Sequence, residues 1–222
     1  MTQPNQRLSQ FASRFNALYT AAITDVLDRM DLVSQTLPGE LLPLRPGMRL
    51  AGPAFPIEGR PHPGMEYEPS IRKVLQMLGE IPPGHVAVYQ THGSTAAHFG
   101  ELSVISVKTR GCVGAVIDGG CRDIEYILRE GFPVFCRHIT PEDCIPRWEI
   151  QAWGHEVTVG DVRVRNGDYM VADGDGIVVI PAEVVEQVLV AAEEVATTEN
   201  LVRDVVREGM LPLAAYERFG KF

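Results

Sequence analysis

Three charged residues carry the chemistry this sequence offers: Glu101, Arg122 and Asp123. Arg122 and Asp123 are adjacent in VIDGGCRDIEYI (116–127), where a run of small and β-branched residues stops at Asp118-Gly119-Gly120 and a helix is expected to begin. Ligands of open α/β sheets gather beyond the carboxyl ends of strands, so this junction has two readings. In one, Asp123 is a helix N-cap and Arg122 a surface cation. In the other, Asp123 ligates a hard divalent cation such as Mg²⁺, which keeps several waters and needs only one or two protein carboxylates. Arg122 then holds an anionic substrate, because a guanidinium fork suits a carboxylate and stabilises a developing enolate. Upstream, AAHFGELSV puts Gly100-Glu101-Leu102 at a second loop-to-helix junction, where free N–H groups make an anion nest. Glu101 reads there as a solvated helix acid or as a member of the site.

The remaining reactive types are weaker candidates. His92 and His98 flank the same region and could contact substrate, or serve as ordinary surface and core residues. His62, His85, His138 and His155 have no companions at ligand spacing, so a zinc site is not expected. Cys112, Cys121, Cys136 and Cys144 form no CxxC pair and read as reduced thiols, with Cys121 the one that adjoins the charged pair.

These residues need a scaffold, and the periodicity supplies one. Residues 8 to 30 carry apolar side chains at helical spacing, with Thr20 or Thr24 as a cap for a second segment. RLAGPAFPIEG is an expected strand, RPHPGMEYEP (60–69) a loop, and SIRKVLQMLGEI a short helix stopped by Pro82-Pro83-Gly84. Strand and helix then alternate: HVAVYQTH, AAHFGELSVISVKTRG, CVGAVIDGG, IEYILREG and PVFCRHI. From about residue 150 short β segments follow, with turns at Val159-Gly160-Asp161, Asn166-Gly167-Asp168 and Asp173-Gly174-Asp175-Gly176. The last of these lacks the further ligands of a calcium loop and reads as a hairpin turn. Residues 181 to 209 form a long amphipathic helix, followed by a short helical tail. The order predicts one mixed α/β domain over 1–222, parallel in the middle and antiparallel toward the end.

Bulk properties exclude several classes. The net charge of −9 opposes nucleic-acid binding, which needs a basic surface. No apolar run approaches the roughly 20 residues of a membrane helix, and the first residues do not read as a signal peptide. A soluble, cytoplasmic protein is expected. No Walker or GxGxxG sequence points to a nucleotide.

In combination these segments resemble a known family, the class II 4-hydroxy-4-methyl-2-oxoglutarate/4-carboxy-4-hydroxy-2-oxoadipate aldolases, which share a fold with the regulator of ribonuclease activity A proteins. The family pattern is an acid, twenty residues, then Arg-Asp; here it is Glu101, residues 102 to 121, then Arg122-Asp123. AAITDVLDRM, RLAGPAF, FGELSV, KTRGCVGAVIDGGCRD, GFPVFCR and NGDYMVADGDGIVVIP match its landmarks in order, over roughly residues 17 to 220. The resemblance implies a swivelling β/β/α-type single domain with N-terminal helices and a long C-terminal helix, assembled as a homotrimer or dimer of trimers. It implies Mg²⁺ or Mn²⁺ as cofactor and a small oxo-acid substrate, with neither nucleic acid nor membrane as partner. Asp123 would be the metal ligand, and Arg122 would neutralise a pyruvate enolate. Gly100 and the amides near Leu102 and Ser103 would bind the pyruvate carboxylate, with Glu101 beside the metal waters. Glu199, in TTENLVRD, would be the acid contributed by a neighbouring subunit. Oxaloacetate decarboxylation would accompany aldol cleavage, since both pass through the same enolate. No Schiff-base lysine is expected among Lys73, Lys108 and Lys221.

Two features depart from the usual pattern. Glu101 stands where aldolases often carry Asp, as it does in the ribonuclease-regulator branch. The 60–69 segment, with Arg60, His62, Glu66 and Tyr67, either shapes a distinct substrate pocket or forms an interface loop. The rival expectation is a non-catalytic protein that docks on a ribonuclease or other enzyme.

Overall fold

A computed structural model describes residues 3–222, with side chains from residue 10 onward. Of the helical run expected from residue 8, the side chains of residues 8 and 9 therefore lie outside the described residues.

The scaffold is a mixed sheet whose centre is parallel. Strand β2 (Leu50–Pro61) is its longest member. Parallel to it run β3 (Val86–Gln90), β5 (Gly114–Cys121) and β6 (Val134–Ile139), in the spatial order β6-β5-β3-β2. These strands read as near-continuous apolar runs because both faces are covered. Alternate residues divide accordingly. Phe55, Ile57, Ala87, Tyr89, Ala115 and Ile117 enter one core, while Ala54, Val86, Val88, Val116 and Phe135 enter another. The first face is covered by α3 (Tyr67–Glu80), α4 (Glu101–Thr109) and α5 (Ile124–Glu130). Strand β4 (Ala97–Phe99) adds alongside β5, just before α4.

Antiparallel pieces finish the sheet, as the sequence predicts. The other edge of β2 is shared by β7 (Trp148–Trp153) and β10 (Tyr169–Ala172), and β10 turns at Asp173–Gly176 into β11 (Ile177–Ile180). The separate hairpin of β8 (Val157–Val159) and β9 (Val162–Val164) packs into the second core. The two-residue β1 (Leu42–Pro43) pairs with β6. On the outer face of β10–β11, α1 (Gln3–Asn16), α2 (Thr20–Arg29) and α6 (Val185–Arg207) build a third core around Tyr169, Val171, Val178 and Ile180. A 3-10 turn (Ala182–Val184) leads into α6, and α7 (Pro212–Phe219) follows it. The fold is a single mixed α/β unit with a long C-terminal helix. Among the described residues no helix is long and apolar enough to cross a membrane.

Three boundaries differ from the sequence reading. The 60–69 loop shrinks to 62–66, because β2 continues to Pro61 and α3 begins at Tyr67. Pairing with β7 at Arg60 and Pro61 extends β2 past the point where composition suggested a turn. Similarly, Ala97–Phe99 of the AAHF stretch is strand rather than helix, held by β5 and by a bridge from Ala97 to Asp143. Finally, neither Thr20 nor Thr24 caps α2. Thr20 is its first residue, and the hydrogen bonds at that end come from Asp173, with its carboxylate oxygens 2.9 Å from the Thr20 N–H and 2.7 Å from its hydroxyl.

Candidate active site

The carboxyl ends of β4 and β5 lie side by side, and this brings the charged residues together. Strand β4 ends at Phe99 and α4 starts at Glu101; β5 ends at Cys121 and α5 starts at Ile124. The Arg122 N–H donates to the Phe99 carbonyl at 3.0 Å, locking the two junctions to each other. Asp123 occupies the N-cap position of α5, yet its side chain makes no cap bond there. Its backbone is left-handed (φ 59°), a conformation that Asp tolerates better than most residues. The carboxylate turns instead to α4, where Oδ2 accepts the Glu101 N–H at 3.2 Å. The N-cap reading is thus half right: Asp123 caps a helix, but not its own.

Gly100 makes this approach possible. A Cβ at Gly100 would sit 2.6 Å from Asp123 Oδ2 and 3.2 Å from Arg122 Cγ, so a side chain there displaces the carboxylate. The other first-turn amides of α4, including Leu102 and Ser103, have no intrahelical acceptor and face the same place with the positive end of the helix dipole. Arg122 lies between two carboxylates, with Nε 3.7 Å from Asp123 Oδ2 and NH1 3.4 Å from Asp143 Oδ2.

Together these groups line a cleft of about 220 Å³. Its charged and polar side is formed by Gly100, Ser103, Ser106, Arg122, Asp123 and Asp143. His98 and Cys144 form part of the cleft lining. Burial, with His138 nearby, pushes the His98 imidazole down to about 3, and neither ring nitrogen has a hydrogen-bond partner. His98 packs edge-on to Trp148 at 4.7 Å, and a Cβ at Gly119 would come within 3.0 Å of its Nδ1. That contact accounts for one glycine of the Asp-Gly-Gly step. Burial, then the neighbouring Asp143, raises the Cys144 thiol to about 12. Cys121 is buried as well, with its Sγ 3.0 Å from the Phe99 carbonyl and its thiol pushed up by its contact with Cys136 and by burial.

Other expected participants lie elsewhere. The Glu101 side chain does not line the cleft, although its amide bonds Asp123. His92 is drawn to Glu58 at 2.9 Å, and His62 to Glu149 at 3.0 Å. Arg60 pairs with Glu58, and Glu66 sits at the N-cap of α3; of the 60–69 segment only Tyr67 reaches the cleft. Glu199 is remote from Arg122 within the chain, held by the Tyr19 hydroxyl and by Lys221 at 2.6 Å. Asp143 escaped the sequence reading. It follows β6 in PEDC, a loop with no periodic signal, and reaches the cleft only because Ala97 bridges to it across 46 residues of chain.

A mixed α/β unit thus gathers an acid, an arginine and an open helix N-terminus at the ends of parallel strands. The chain belongs to the RraA-like family, whose model, described as Aldolase/RraA, matches residues 20–179. It is similar to a protein of Halalkalibacterium halodurans named "Putative 4-hydroxy-4-methyl-2-oxoglutarate aldolase", 28% identical over 207 residues and covering 93% of both chains. Among solved structures, Streptomyces coelicolor RraAS2, described as an unusual member of the RNase ES inhibitor RraA protein family, superposes with a TM-score of 0.78. It is 27% identical, and the match covers 87% of this chain and 96% of that one. A structure described as novel cellulases from gut-ecosystem microbes gives a TM-score of 0.82 at 32% identity, covering 86% of each chain. The family resemblance read from the spaced acid and Arg-Asp is borne out.

Proposed function

We propose that the protein is a divalent-metal-dependent class II aldolase that cleaves a 4-hydroxy-2-oxo acid to pyruvate and a second oxo compound, and that also decarboxylates oxaloacetate. The observation that carries this reading is the meeting of Asp123, Arg122 and the α4 N-terminus at one cleft. The donor set suits Mg²⁺ or Mn²⁺. The Asp123 side chain is 42% exposed and uses one oxygen for the Glu101 amide, which leaves a hard carboxylate oxygen open to a cation. Bound there, the cation supplies Lewis-acid polarisation of the 2-oxo group and shares the enolate charge.

The chain's own residues do the rest. The amides of Leu102 and Ser103 hold the substrate carboxylate at the positive end of α4. Arg122 presents fixed positive charge where the enolate oxygen develops, and Asp143 holds its guanidinium from the far side. Asp123 keeps one oxygen on the first amide of α4, so the carboxylate that would hold the metal is tied to the same helix turn whose amides would hold the substrate carboxylate. Glu101, whose amide bonds Asp123, and Glu199 from a neighbouring subunit of a homotrimer or dimer of trimers complete the acid complement of this reading. A protein-docking role is the second reading, favoured by the Streptomyces relative's description as a ribonuclease-inhibitor family member. An Arg-Asp pair aimed into a cleft has no use in a pure docking module.

The test is pyruvate release from oxaloacetate and from 4-hydroxy-4-methyl-2-oxoglutarate, with Mg²⁺ or Mn²⁺ and with excess chelator. Release that chelator stops and metal restores is expected. No release from either substrate by the folded protein overturns the reading.

A further inference from the structure

The two helices that wall the cleft carry hydroxyls of two kinds. On α4, Thr109 returns its hydroxyl to the Ile105 carbonyl at 2.6 Å, and on α3 Ser70 returns its own to the Glu66 carbonyl at 2.7 Å. Neither lines the cleft. Tyr67, Ser103 and Ser106 do line it, and among the described residues none of their hydroxyls has a hydrogen-bond partner. Each remains available as a donor to whatever enters.

The three differ in position. Helices α3 and α4 pack side by side and run the same way: at their far ends Arg110 donates to the Gly79 carbonyl, and the Gly84 N–H to the Gly111 carbonyl at 2.7 Å. Their N-termini therefore share the end at which Arg122, Asp123 and Asp143 meet. Ser106 lies in the second turn of α4, away from that end, and Ser103 already presents its amide there. Tyr67 is the first residue of α3. The loop before it is tied to the stretch that follows Asp143, with the His62 N–H on the Arg147 carbonyl at 2.8 Å and the Gly64 N–H on the Pro146 carbonyl at 3.1 Å. Tyr67 is thus held on the Asp143 side of the charged end by its backbone, and its side chain is left 63% exposed.

In the aldolase reading the oxygens of the pyruvate half are assigned: the carboxylate to the α4 amides, the enolate oxygen to Arg122 and the metal. The other half of 4-hydroxy-4-methyl-2-oxoglutarate carries a second carboxylate on C4. Asp123 and Asp143 repel it. A phenol receives it, donating a charge-assisted hydrogen bond without adding a charge beside Arg122 and the metal. We infer that Tyr67 is a specificity residue whose hydroxyl binds the second carboxylate of the substrate. The inference rests on the aldolase reading and concerns the chain's own wall, alongside any group that a neighbouring subunit brings. Of the two roles open to the 60–69 segment, it gives Tyr67 the pocket.

The experiment compares pyruvate release from 4-hydroxy-4-methyl-2-oxoglutarate and from 4-hydroxy-4-methyl-2-oxopentanoate, in which a methyl group replaces the second carboxylate, with Mg²⁺. Tyr67→Phe removes one oxygen and keeps the ring. It is expected to lower kcat/KM for the dicarboxylate about 10-fold, the low end for a hydrogen bond to a charged group, and to leave the methyl analogue within about 2-fold. Ser106→Ala removes a hydroxyl further along the same cleft and is expected to change neither. Calorimetric binding of 2-oxoglutarate and 2-oxopentanoate supplies a readout without turnover, in which the wild-type preference for the former should shrink in Tyr67→Phe. Equal loss on both substrates, or no loss on either, by a Tyr67→Phe protein that melts like wild type and still decarboxylates oxaloacetate overturns the Tyr67 inference and leaves the aldolase standing. A preference that moves with Ser106→Ala instead assigns the carboxylate to α4 and overturns it too. No pyruvate from these compounds or from oxaloacetate with the wild-type protein overturns both.

Discussion

Asp173 and Asp123 perform the same backbone task in different parts of the molecule. Each turns its carboxylate to the first amide of a helix it does not belong to: Asp173 to Thr20 of α2, and Asp123 to Glu101 of α4. Their surroundings differ. Asp173 is saturated, accepting the Thr20 N–H, the Thr20 hydroxyl and the Asp175 N–H, with Arg49 at 3.5 Å. Its side chain is 10% exposed, against 42% for Asp123, which holds one amide and leaves an oxygen to solvent. A saturated, buried carboxylate ties α2 to the β10–β11 hairpin. An unsaturated one at a cleft mouth is left with coordination capacity. The difference between a structural and a functional aspartate lies in what remains unsatisfied.

That contrast can be broken by exchanging the consequences of mutation. Asp123→Ala should lower metal-dependent pyruvate release by about 10³-fold or more, with thermal unfolding unchanged within a few degrees. Substantial activity in that variant removes Asp123 from the site. Arg122→Lys is expected to cost about 10²–10³-fold, because a point ammonium cannot reproduce the fork held between Asp123 and Asp143. Near-normal rates in the lysine variant would argue against an enolate clamp.

Asp173→Ala should do the reverse, destabilising the fold by about 2–4 kcal/mol in denaturant melts while sparing kcat at temperatures where the protein is folded. A neutral effect on stability there would erase the distinction. Gly100→Ala sits between the two classes. By pushing the Asp123 carboxylate off α4 it should cost about 10–10²-fold in activity, the range typical of disturbed metal-site support, with a smaller loss of stability.

The smallest effect is on pH dependence. Burial raises the Asp173 carboxyl, but bonds from the Thr20 hydroxyl and amide and the Asp175 amide, with the charge of Arg49, outweigh it and hold the group below its ordinary value. A depressed folded-state pKa gives stability that is present above the unfolded value of about 3.9 and is lost as pH falls through the folded value. Asp173→Asn should therefore be less stable than wild type at neutral pH, with the gap closing below about pH 4. A gap constant down to pH 2 would mean that charge contributes nothing at this cap.

Much of the scaffold was legible before any coordinates, for local reasons. The apolar runs of β3 and β5 announce strands buried on both faces, and Asp173-Gly174-Asp175-Gly176 announces a hairpin. Arg122-Asp123 was visible as a charged step at a strand end. Less legible were features made by distant neighbours. The end of β2 is extended by β7, and Ala97–Phe99 is made a strand by β5 and Asp143.

The sequence by itself determined most element types, the family, and the spacing that puts an acid and an Arg-Asp pair at two strand ends, because these depend on side-chain periodicity and chain order. Only the tertiary structure decided which helix Asp123 caps, that Asp143 lies against Arg122, and that apolar residues of α3 line the cleft. Those relations join segments 20 to 70 residues apart through sheet pairing and packing, and no local pattern encodes which distant partner a carboxylate will find.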